Sequence, residues 1–504
     1  MKWFFRGLIC LAFVVVSTGS VVAQGGGNPF GRPDPNRPVG LTITSDQVSP
    51  GYILLSIIQS RDVMLLSNDG RVVNIWEGQH YLGQAVYLLD NGHLLRTVSL
   101  DNNAYGPGGQ WGFVNGRVEE VTWDGRLVWG FNYGDRRIVG HHDIEPMPNG
   151  HVLMVAFEMF SGDEVLAAGR SPELMPQENA LWSEKVIEFD PMTGRVVWEW
   201  RVWDHLVQDY DPNLSNYGAV AEHPERIDIN YTIDRSIDWL HINAIDYNAD
   251  LDQIVLSPRT FSEIWIIDHG TTTEEARGPA GDLLYRWGNP AAYRAGSEAN
   301  RHLYYQHNPQ WIPQGYPGAG NLLIFNNGGP ERPYSSVVEI VPPIDESGAY
   351  VMLPGVPTGP DGYAWQYIGN PPESFYSALI SGAQRQPNGN TLITEGIKGR
   401  IFEVNPAGEI VWEYYLPPAT GVFRAERYNN LPPDLDLSGN LPLVTGAIWG
   451  VDCTDGEQPR LYAYLQPDSQ TMALFTATYG DQAQAAWENE ACAEHGGRVD
   501  RPTP

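Results

Sequence analysis

The sequence predicts an all-β protein built as a six-bladed β-propeller with a short C-terminal extension. Its composition is typical of a turn-rich and aromatic-rich β protein, with 54 Gly, 39 Pro, 17 Trp and 25 Tyr. One phrase, a turn followed by aromatic residues two apart, recurs in six copies, in the first of which Asn74 replaces the first aromatic residue. A second phrase, an Asn-Gly turn followed by an apolar strand, precedes most copies of the first. Units of several short strands cannot bury their own faces, so they must stack around a common axis.

The first phrase places two aromatic side chains on one face of a strand, because alternate residues of a strand point the same way. Its copies are DGRVVNIW (69–76), DGRLVWGF (124–131), TGRVVWEW (193–200), GDLLYRW (281–287), DGYAWQY (361–367) and AGEIVWEY (407–414). A β-hairpin would explain one copy. Six copies require a repeating architecture.

The second phrase marks the turn between two strands of a unit. Its copies are LDNGHLL (89–95), MPNGHVLMV (147–155), GAGNLLIF (318–325) and QPNGNTLI (386–393), with DLDQIVLS (250–257) as an Asp-rich version.

In a propeller the innermost strand of each blade lines the central channel. Equivalent positions in different blades therefore converge near the axis, although they are far apart in the sequence.

Four regions follow from these patterns: a signal peptide (1–23), a Gly/Pro linker (24–40), the propeller (41–430) and an extension (431–504). The N-terminus has basic residues, an apolar run and then Val-Val-Ala, with cleavage expected after Ala23. A membrane anchor is the weaker alternative, because polar residues interrupt the apolar run. We therefore expect an exported protein without a stable membrane anchor, periplasmic or extracellular.

Export makes a disulfide plausible. Cys453 and Cys492 are the two cysteines outside the signal peptide, and we expect them to form a bond that staples the extension. Free thiols are the alternative.

The formal net charge of −30 disfavours nucleic acid and anionic membranes as partners, because both require basic patches. An anionic substrate would need a local cluster of Arg and His against this acidic background.

Three histidines lie at the starts of matching strands in successive units. His142 precedes Asn149 of its turn by seven residues, and His241 and His307 occupy the corresponding strand starts of the next two units. Taken singly, each could be a turn or hydrogen-bonding residue. Taken together, they are predicted to face the channel as catalytic residues, whereas His141 is expected to point to the opposite face.

Arginines follow two of these histidines. Arg259 ends the strand after His241, Arg332 has the matching place after His307, and Arg400 lies in the sixth unit. A guanidinium pairs with oxyanions through a planar fork, although each arginine could instead form a surface salt bridge. Histidines beside arginines suit a sulfuryl or phosphoryl anion better than a metal ion, which the arginine charges would repel. No metal or cofactor is predicted.

The long segment 202–236 is an insertion, and loops of this length are usually functional lids or binding walls. A decorative loop is the alternative.

At these residues the chain resembles the bacterial aryl sulfotransferases. The resemblance is carried by DWLHINAIDYNADLDQIVLSPRTFSEIWIIDH (238–269), GDLLYRWGNP (281–290), YYQHNPQWIP (304–313), LLIFNNGG (322–329) and GAQRQPNGNTLITEGIKGRIFEVNPAGEIVWEY (382–414). It implies a six-bladed propeller that moves a sulfuryl group from an aryl sulfate to a phenolic acceptor through a histidine, without a nucleotide donor. His241 and His307 match two histidines of the family pattern, and Arg332 matches its anion-binding arginine. We expect Arg259, Asn243 and Arg400 to bind substrate as well.

The chain departs from the family in the last unit. The histidine that the family sulfurylates precedes a strand corresponding to IFEV (401–404), and here Arg400 stands before that strand. No histidine lies between His307 and His495. Either another histidine, His142 or His241, accepts the group, or the chemistry is altered or lost. A non-catalytic propeller that binds an anionic or aromatic ligand and a metal-assisted hydrolase or lyase are the alternatives.

Overall fold

The computed structural model describes residues 38–58, 60–100, 114–416 and 420–439, together with the backbone of three short strands beyond them. Strands dominate this part of the chain. Its two α-helices are short: α1 is Gly162–Ala167 and α2 is Thr273–Ala276. Residues 1–37, Cys453 and Cys492 lie outside the described residues, so the signal peptide and the disulfide stay predictions.

Six antiparallel sheets, numbered here as blades 1 to 6, account for most strands. The chain begins with β1 (Gly40–Thr44). Blade 1 then contains β2 (Tyr52–Ile57), β3 (Val63–Ser67) and β4 (Val72–Trp76). Blade 2 contains β5 (Tyr81–Leu88), β6 (Leu94–Ser99), β8 (Arg117–Val121) and β9 (Leu127–Asn132), with the short β7 (Val114–Asn115) preceding β8 in the chain.

Blade 3 contains β10 (Ile138–Pro146), β11 (Val152–Ser161), β12 (Ala180–Asp190) and β13 (Arg195–Arg201), and β7 pairs with β10. The segment after blade 3 forms the parallel pair β14 (Leu206–Val207) and β15 (Ile227–Asp228). Blade 4 contains β16 (Ile242–Asn248), β17 (Gln253–Pro258), β18 (Ile264–Asp268) and β19 (Tyr285–Trp287).

Blade 5 contains β20 (His307–Trp311), β21 (Leu322–Asn326), β22 (Ser336–Ile340) and β23 (Trp365–Ile368). Blade 6 contains β24 (Ser381–Arg385), β25 (Thr391–Glu395), β26 (Arg400–Val404) and β27 (Ile410–Tyr415). The chain continues with β28 (Val422–Tyr428), β29 (Trp449–Asp452), β30 (Arg460–Tyr464) and β31 (Met472–Ala473), the last three forming a small separate sheet.

The predicted six-bladed β-propeller is confirmed. Each copy of the aromatic phrase forms the fourth strand of a blade, counted from the inner strand, and each Asn-Gly turn joins the first two strands of its blade. The inner strands β5, β10, β16, β20, β24 and β28 contact one another in that order around the ring. None of the helices among the described residues is long and apolar enough to cross a bilayer.

The tryptophans of the aromatic phrase connect neighbouring blades. In five of the six blades an indole N–H of the outer strand donates to a backbone carbonyl of the turn before the next blade's outer strand. The donors and acceptors are Trp76 to Thr122, Trp200 to Gly281, Trp287 to Pro360, Trp365 to Pro406 and Trp412 to Asn68, at 2.7–3.1 Å. The repeat therefore encodes the contact between blades as well as the strand itself, since a buried indole needs a hydrogen-bond acceptor.

Both ends of the propeller interlock. The late strand β28 pairs with β2 and becomes the innermost strand of blade 1, whereas β1 pairs with β27 and adds a fifth strand to blade 6. From β28, the Arg424 guanidinium reaches blade 3 and donates two hydrogen bonds to the Asp143 carboxylate, both at 2.9 Å. Both side chains are buried, so ring closure places a bidentate ion pair across the channel.

We expect the variant Arg424→Ala to lower the free energy of unfolding by about 3–5 kcal/mol, because it leaves the buried Asp143 carboxylate without its countercharge. Chemical denaturation monitored by tryptophan fluorescence measures this change. The control is Arg126→Ala, which removes an exposed arginine paired with Asp124 and should change the free energy by less than about 1 kcal/mol. Equal effects of the two variants would contradict a structural role for the pair.

Candidate active site

The inner strands are irregular at one end of the channel. In blades 2 to 5 the pairing of the first two strands shifts register, between Leu82 and Val86, Gly140 and Ile144, Ile242 and Ile245, and His307 and Gln310. A bulge of this kind leaves extra residues unpaired and redirects their side chains. The backbone at His142 and His241 is left-handed, with φ of 52° and 54°. Left-handed backbone at a histidine is strained, and such strain is often found at functional sites.

The structure brings His142, His241 and His307 together with Arg259. The rings of His142 and His241 lie 4.6 Å apart, centroid to centroid. Positive charge on His241, His307 or Arg259 would lower the pKa of the His142 imidazole, which shows that the four groups share one region. Three residues predicted from separate repeats therefore converge. Their catalytic role stays a prediction.

Asp238 fixes the orientation of His241. The Asp238 Oδ2 lies 2.6 Å from His241 Nδ1, and the two residues are three apart just before β16. A carboxylate accepts the Nδ1 proton and directs the lone pair of Nε2 outward, as in other His–carboxylate pairs. The His241 side chain is 18% exposed, whereas His142 and His307 are 2% and 3% exposed. His241 is therefore the most accessible of the three imidazoles.

Asn327 fixes the orientation of His307. The Asn327 amide nitrogen donates to the Ser377 carbonyl at 2.7 Å and to Ser381 Oγ at 3.0 Å. Its amide oxygen must then accept the proton of His307 Nδ1, at 2.8 Å. The lone pair of His307 is consequently on Nε2. This chain of hydrogen bonds links blade 5 to blade 6, whose inner strand offers only small residues here.

The environment keeps two imidazoles neutral at neutral pH. Burial lowers the pKa of His307 to about 3, assisted by the nearby positive charge of Arg259. Burial also lowers the pKa of His142 well below its usual value, assisted by His241. A neutral imidazole has a lone pair available as base or nucleophile.

Arg259 is a partly buried cation that forms no ion pair in the described part of the chain. Its guanidinium lies 5.0 Å from the centre of the Tyr305 ring, and its Nε has no hydrogen-bond partner among these residues. Burial lowers the pKa of Arg259, the direction expected for a cation that lacks a countercharge. Nearby, the fully buried Asn243 donates to the Gln306 carbonyl at 2.9 Å, but its amide oxygen has no partner. Unsatisfied buried polar groups beside the histidines indicate space for a polar ligand.

Arg332 and Arg400 each have polar partners within the protein. Arg332 donates to the Tyr334 carbonyl and to Ser336 Oγ, and stacks on the Tyr334 ring at 3.9 Å. Arg400 forms ion pairs with Glu395 and Glu413, which neutralise its charge. Within the described ranges neither forms a hydrogen bond or ring contact with the three histidines, and the substrate-binding role predicted for both stays a prediction.

His141 packs against its own blade and also contacts His142, and the opposite orientation expected for it stays a prediction. Its ring stacks on Phe157 of β11 at 3.6 Å, and its Nδ1 lies 2.8 Å from His142 Nδ1. The insertion 202–236 is not a loose loop: Ile227 and Ile229 are fully buried, and it leads directly into Asp238.

Sequence reasoning missed several residues that support the site. Asp238 and Asn327 stand within the quoted motifs, and the i,i+3 spacing of Asp238 and His241 was an available signal. Asp143 follows His142 directly. Arg424 had no local signal, because its role depends on ring closure by β28.

Acid should destabilise the protein through His307. Because the pKa of His307 is about 3 in the folded protein and ordinarily 6.5, the unfolded chain binds a proton between these pH values that the folded chain does not. Stability is therefore complete above pH 6.5 and decreases as the pH falls, by a few kcal/mol in total near pH 3. The variant His307→Asn should flatten the dependence of unfolding free energy on pH.

The control for this measurement is His223→Asn, because the His223 side chain is 42% exposed. It should leave the acid sensitivity unchanged. If the unfolding free energy of His307→Asn decreases in acid as much as that of the wild type, His307 is not buried in its neutral form.

Among the described residues, no group of three or more His, Cys, Asp or Glu is arranged to hold a metal ion.

Solved structures match the chain at low similarity. A protein of unknown function from Bacteroides caccae is 13% identical, with 75% of this chain and 98% of that chain covered and a TM-score of 0.42. The virginiamycin B lyase of Staphylococcus aureus is 12% identical, with 76% of this chain and 87% of that chain covered and a TM-score of 0.34. A streptogramin B lyase is 12% identical, with 79% and 95% covered and a TM-score of 0.36. No curated protein matches the chain.

A family match is more informative. The Arylsulfotransferase (ASST) family matches residues 68–338, more than half of the chain, and this range includes His142, His241, Arg259 and His307. It ends within blade 5, so blade 6, in which the family's nucleophilic histidine is expected, lies outside the match. The chain belongs to the arylsulfotransferase (ASST) family.

Proposed function

We propose that this protein moves a sulfuryl group from an aryl sulfate to a phenolic acceptor, without a nucleotide donor, and that His241 carries the group in between. The observation that supports this proposal most is the cluster of three imidazoles beside the unpaired cation Arg259. Family membership supports the reaction class. Members of this family would act on small-molecule aryl sulfates and phenols.

His241 is the best candidate for the nucleophile. Its imidazole is the most accessible of the three, and Asp238 holds the proton on Nδ1. In the first half-reaction the lone pair of Nε2 forms a bond to sulfur, and the bond from sulfur to the aryl oxygen breaks. The electron pair of that bond leaves with the aryl oxide. The positive charge that develops on the ring is then stabilised by the Asp238 carboxylate.

Arg259 supplies the countercharge for the transferring group. A guanidinium in a buried site stabilises the sulfuryl oxygens and the departing oxide more strongly than it would in water. The unsatisfied Arg259 Nε and Asn243 amide lie close to the histidines and suit this role. We assign the anion to Arg259 first, and the substrate-binding roles of Arg332 and Arg400 stay predictions.

The second half-reaction needs a base for the acceptor phenol. Either His142 or His307 takes the phenol proton, the phenol oxygen attacks sulfur, and the bond to His241 Nε2 breaks with its electron pair returning to nitrogen. Bound sulfuryl oxygens are negative and offset the charge of Arg259, so they raise the pKa of these imidazoles above its value in the empty site. The substrate thereby makes the base effective.

The test is transfer of the sulfuryl group from 4-nitrophenyl sulfate to phenol, measured through the release of 4-nitrophenolate. We expect wild-type turnover that a chelator does not change. His241→Ala should reduce kcat on the order of 10³-fold or more, because removal of a nucleophile abolishes the covalent route. Arg259→Met should reduce it about 100-fold through lost charge stabilisation.

The matched control is His223→Ala, a histidine outside the cluster, which should retain wild-type turnover. Three results would contradict the proposal. Saturable binding of the aryl sulfate without turnover would favour a non-catalytic propeller. Activity that a chelator abolishes and a metal ion restores would favour a metal-assisted hydrolase or lyase. Normal turnover of the His142→Ala, His241→Ala and His307→Ala variants would place the reaction elsewhere.

We also propose that the protein is exported and that cleavage follows Ala23. The apolar run between the basic N-terminus and Val21-Val22-Ala23 supports this. Intact-mass measurement of the protein in the periplasmic and extracellular fractions should give a chain that begins at Gln24. A chain that keeps its first 23 residues in the cytoplasm would contradict export.

A further inference from the structure

A buried acid lies behind the pair formed by Asp238 and His241. Glu184 is on β12 of blade 3 and is completely buried. One of its oxygens, Oε1, accepts the backbone N–H of Ile242 at 3.1 Å. Its other oxygen, Oε2, has no hydrogen-bond partner, and no cationic side chain pairs with Glu184 among the described residues. A buried carboxylate without a countercharge is costly, so this side chain needs an explanation.

Asp238 has a matching unsatisfied oxygen. Its Oδ2 binds His241 Nδ1, but its Oδ1 is buried and has no partner. Asp238 pairs with Trp182 of β12 through an isolated parallel bridge, and Glu184 is two residues further along that strand. The side chains of Trp182 and Glu184 are on the same face of β12, because alternate residues point the same way. Glu184 therefore contacts the backbone just after His241, and Asp238 contacts the ring of His241.

None of the charged or titratable side chains around Glu184 forms an ion pair with it among the described residues. Before β16 these are Asp238 and His241, and on β10 they are His141 and His142. The residue opposite Glu184 on β11 is the apolar Phe157. On β13, Arg201 is bonded to Glu158. Burial raises the pKa of Glu184 well above its usual value, and the charge of Asp238 raises it further.

We propose that Glu184 is a protonated positioning residue whose carboxyl O–H donates to Asp238 Oδ1, so that Glu184, Asp238 and His241 form one hydrogen-bonded chain. This proposal rests on the proposed function of His241. One proton between two buried carboxyl groups leaves a single negative charge, which avoids repulsion between two carboxylates. The carboxylate of Asp238 is then held from both sides and keeps the His241 imidazole in the tautomer that presents Nε2.

The kinetic test compares three variants with 4-nitrophenyl sulfate and phenol. Glu184→Gln keeps a donor and an acceptor of similar size, so kcat/KM should stay within about threefold of wild type. Glu184→Met keeps the volume but loses the donor, and should lose at least about tenfold, as is usual for partners of catalytic histidines. Glu158→Gln is the control, an acid of the same blade that does not face Asp238, and should change neither kinetics nor pH profile.

The pH profile separates positioning from mere folding support. In the wild type, ionisation of Glu184 at alkaline pH puts a second charge beside Asp238 and lowers kcat. Glu184→Gln cannot ionise and should lose this alkaline decline. An unchanged alkaline decline in Glu184→Gln, or loss of activity as large as in Glu184→Met, would overturn the proposal.

Thermal unfolding tests the protonation without any turnover. In the folded state Glu184 keeps its proton, whereas in the unfolded chain it releases the proton above its ordinary pKa of 4.5. The wild type should therefore lose stability relative to Glu184→Gln as the pH rises above 4.5. A Tm difference that is independent of pH, or that changes in favour of the wild type, would show that Glu184 is ionised in the fold. If no variant turns over, the proposed function fails, and this measurement still decides the protonation of Glu184.

Discussion

The closure of the ring by β28 is the constraint on which the rest of the structure depends. A blade of four short strands cannot bury both of its faces, so no blade is stable until its neighbours cover it. Indole hydrogen bonds join five of the six blades to the next blade along the outside, and β28 joins the last part of the chain to the first blade on the inside. The pair of Arg424 and Asp143 then connects blades 1 and 3 across the channel. Because Asp143 is the neighbour of His142, ring closure and the geometry of the candidate site are linked.

The candidate site works against the charge of the whole molecule. The chain has an excess of acidic residues, with a formal net charge of −30, yet the histidines lie beside a guanidinium that no carboxylate of the described ranges neutralises. Burial keeps two imidazoles neutral, and an anionic group would provide the countercharge that Arg259 lacks. Asp238 contacts Nδ1 of His241 and orients that ring.

The periodic features of the sequence were the predictable ones. Six copies of one phrase predicted six blades, and matching strand starts predicted that His142, His241 and His307 would converge. The pairing of the inner strands shows why the alignment was imperfect: bulges of different length displace the residues of blades 3 to 5, so the three histidines do not share one register. Arg424 and Glu184 could not be predicted, because their contacts arise from ring closure and from packing between blades, which leave no local pattern. Arg332 matched by position in its repeat, and its hydrogen bond to the Tyr334 carbonyl is a contact that the repeat did not predict.

Identification of the residue that carries the sulfuryl group tests the central claim most directly. The protein is incubated with 4-nitrophenyl sulfate and no acceptor, and the intact chain and its peptides are measured by mass spectrometry. The account predicts a mass gain of one sulfuryl group on the peptide that contains His241, which disappears when phenol is added and is absent in His241→Ala. A modification on a different histidine, or turnover through a ternary complex without any covalent adduct, would contradict it.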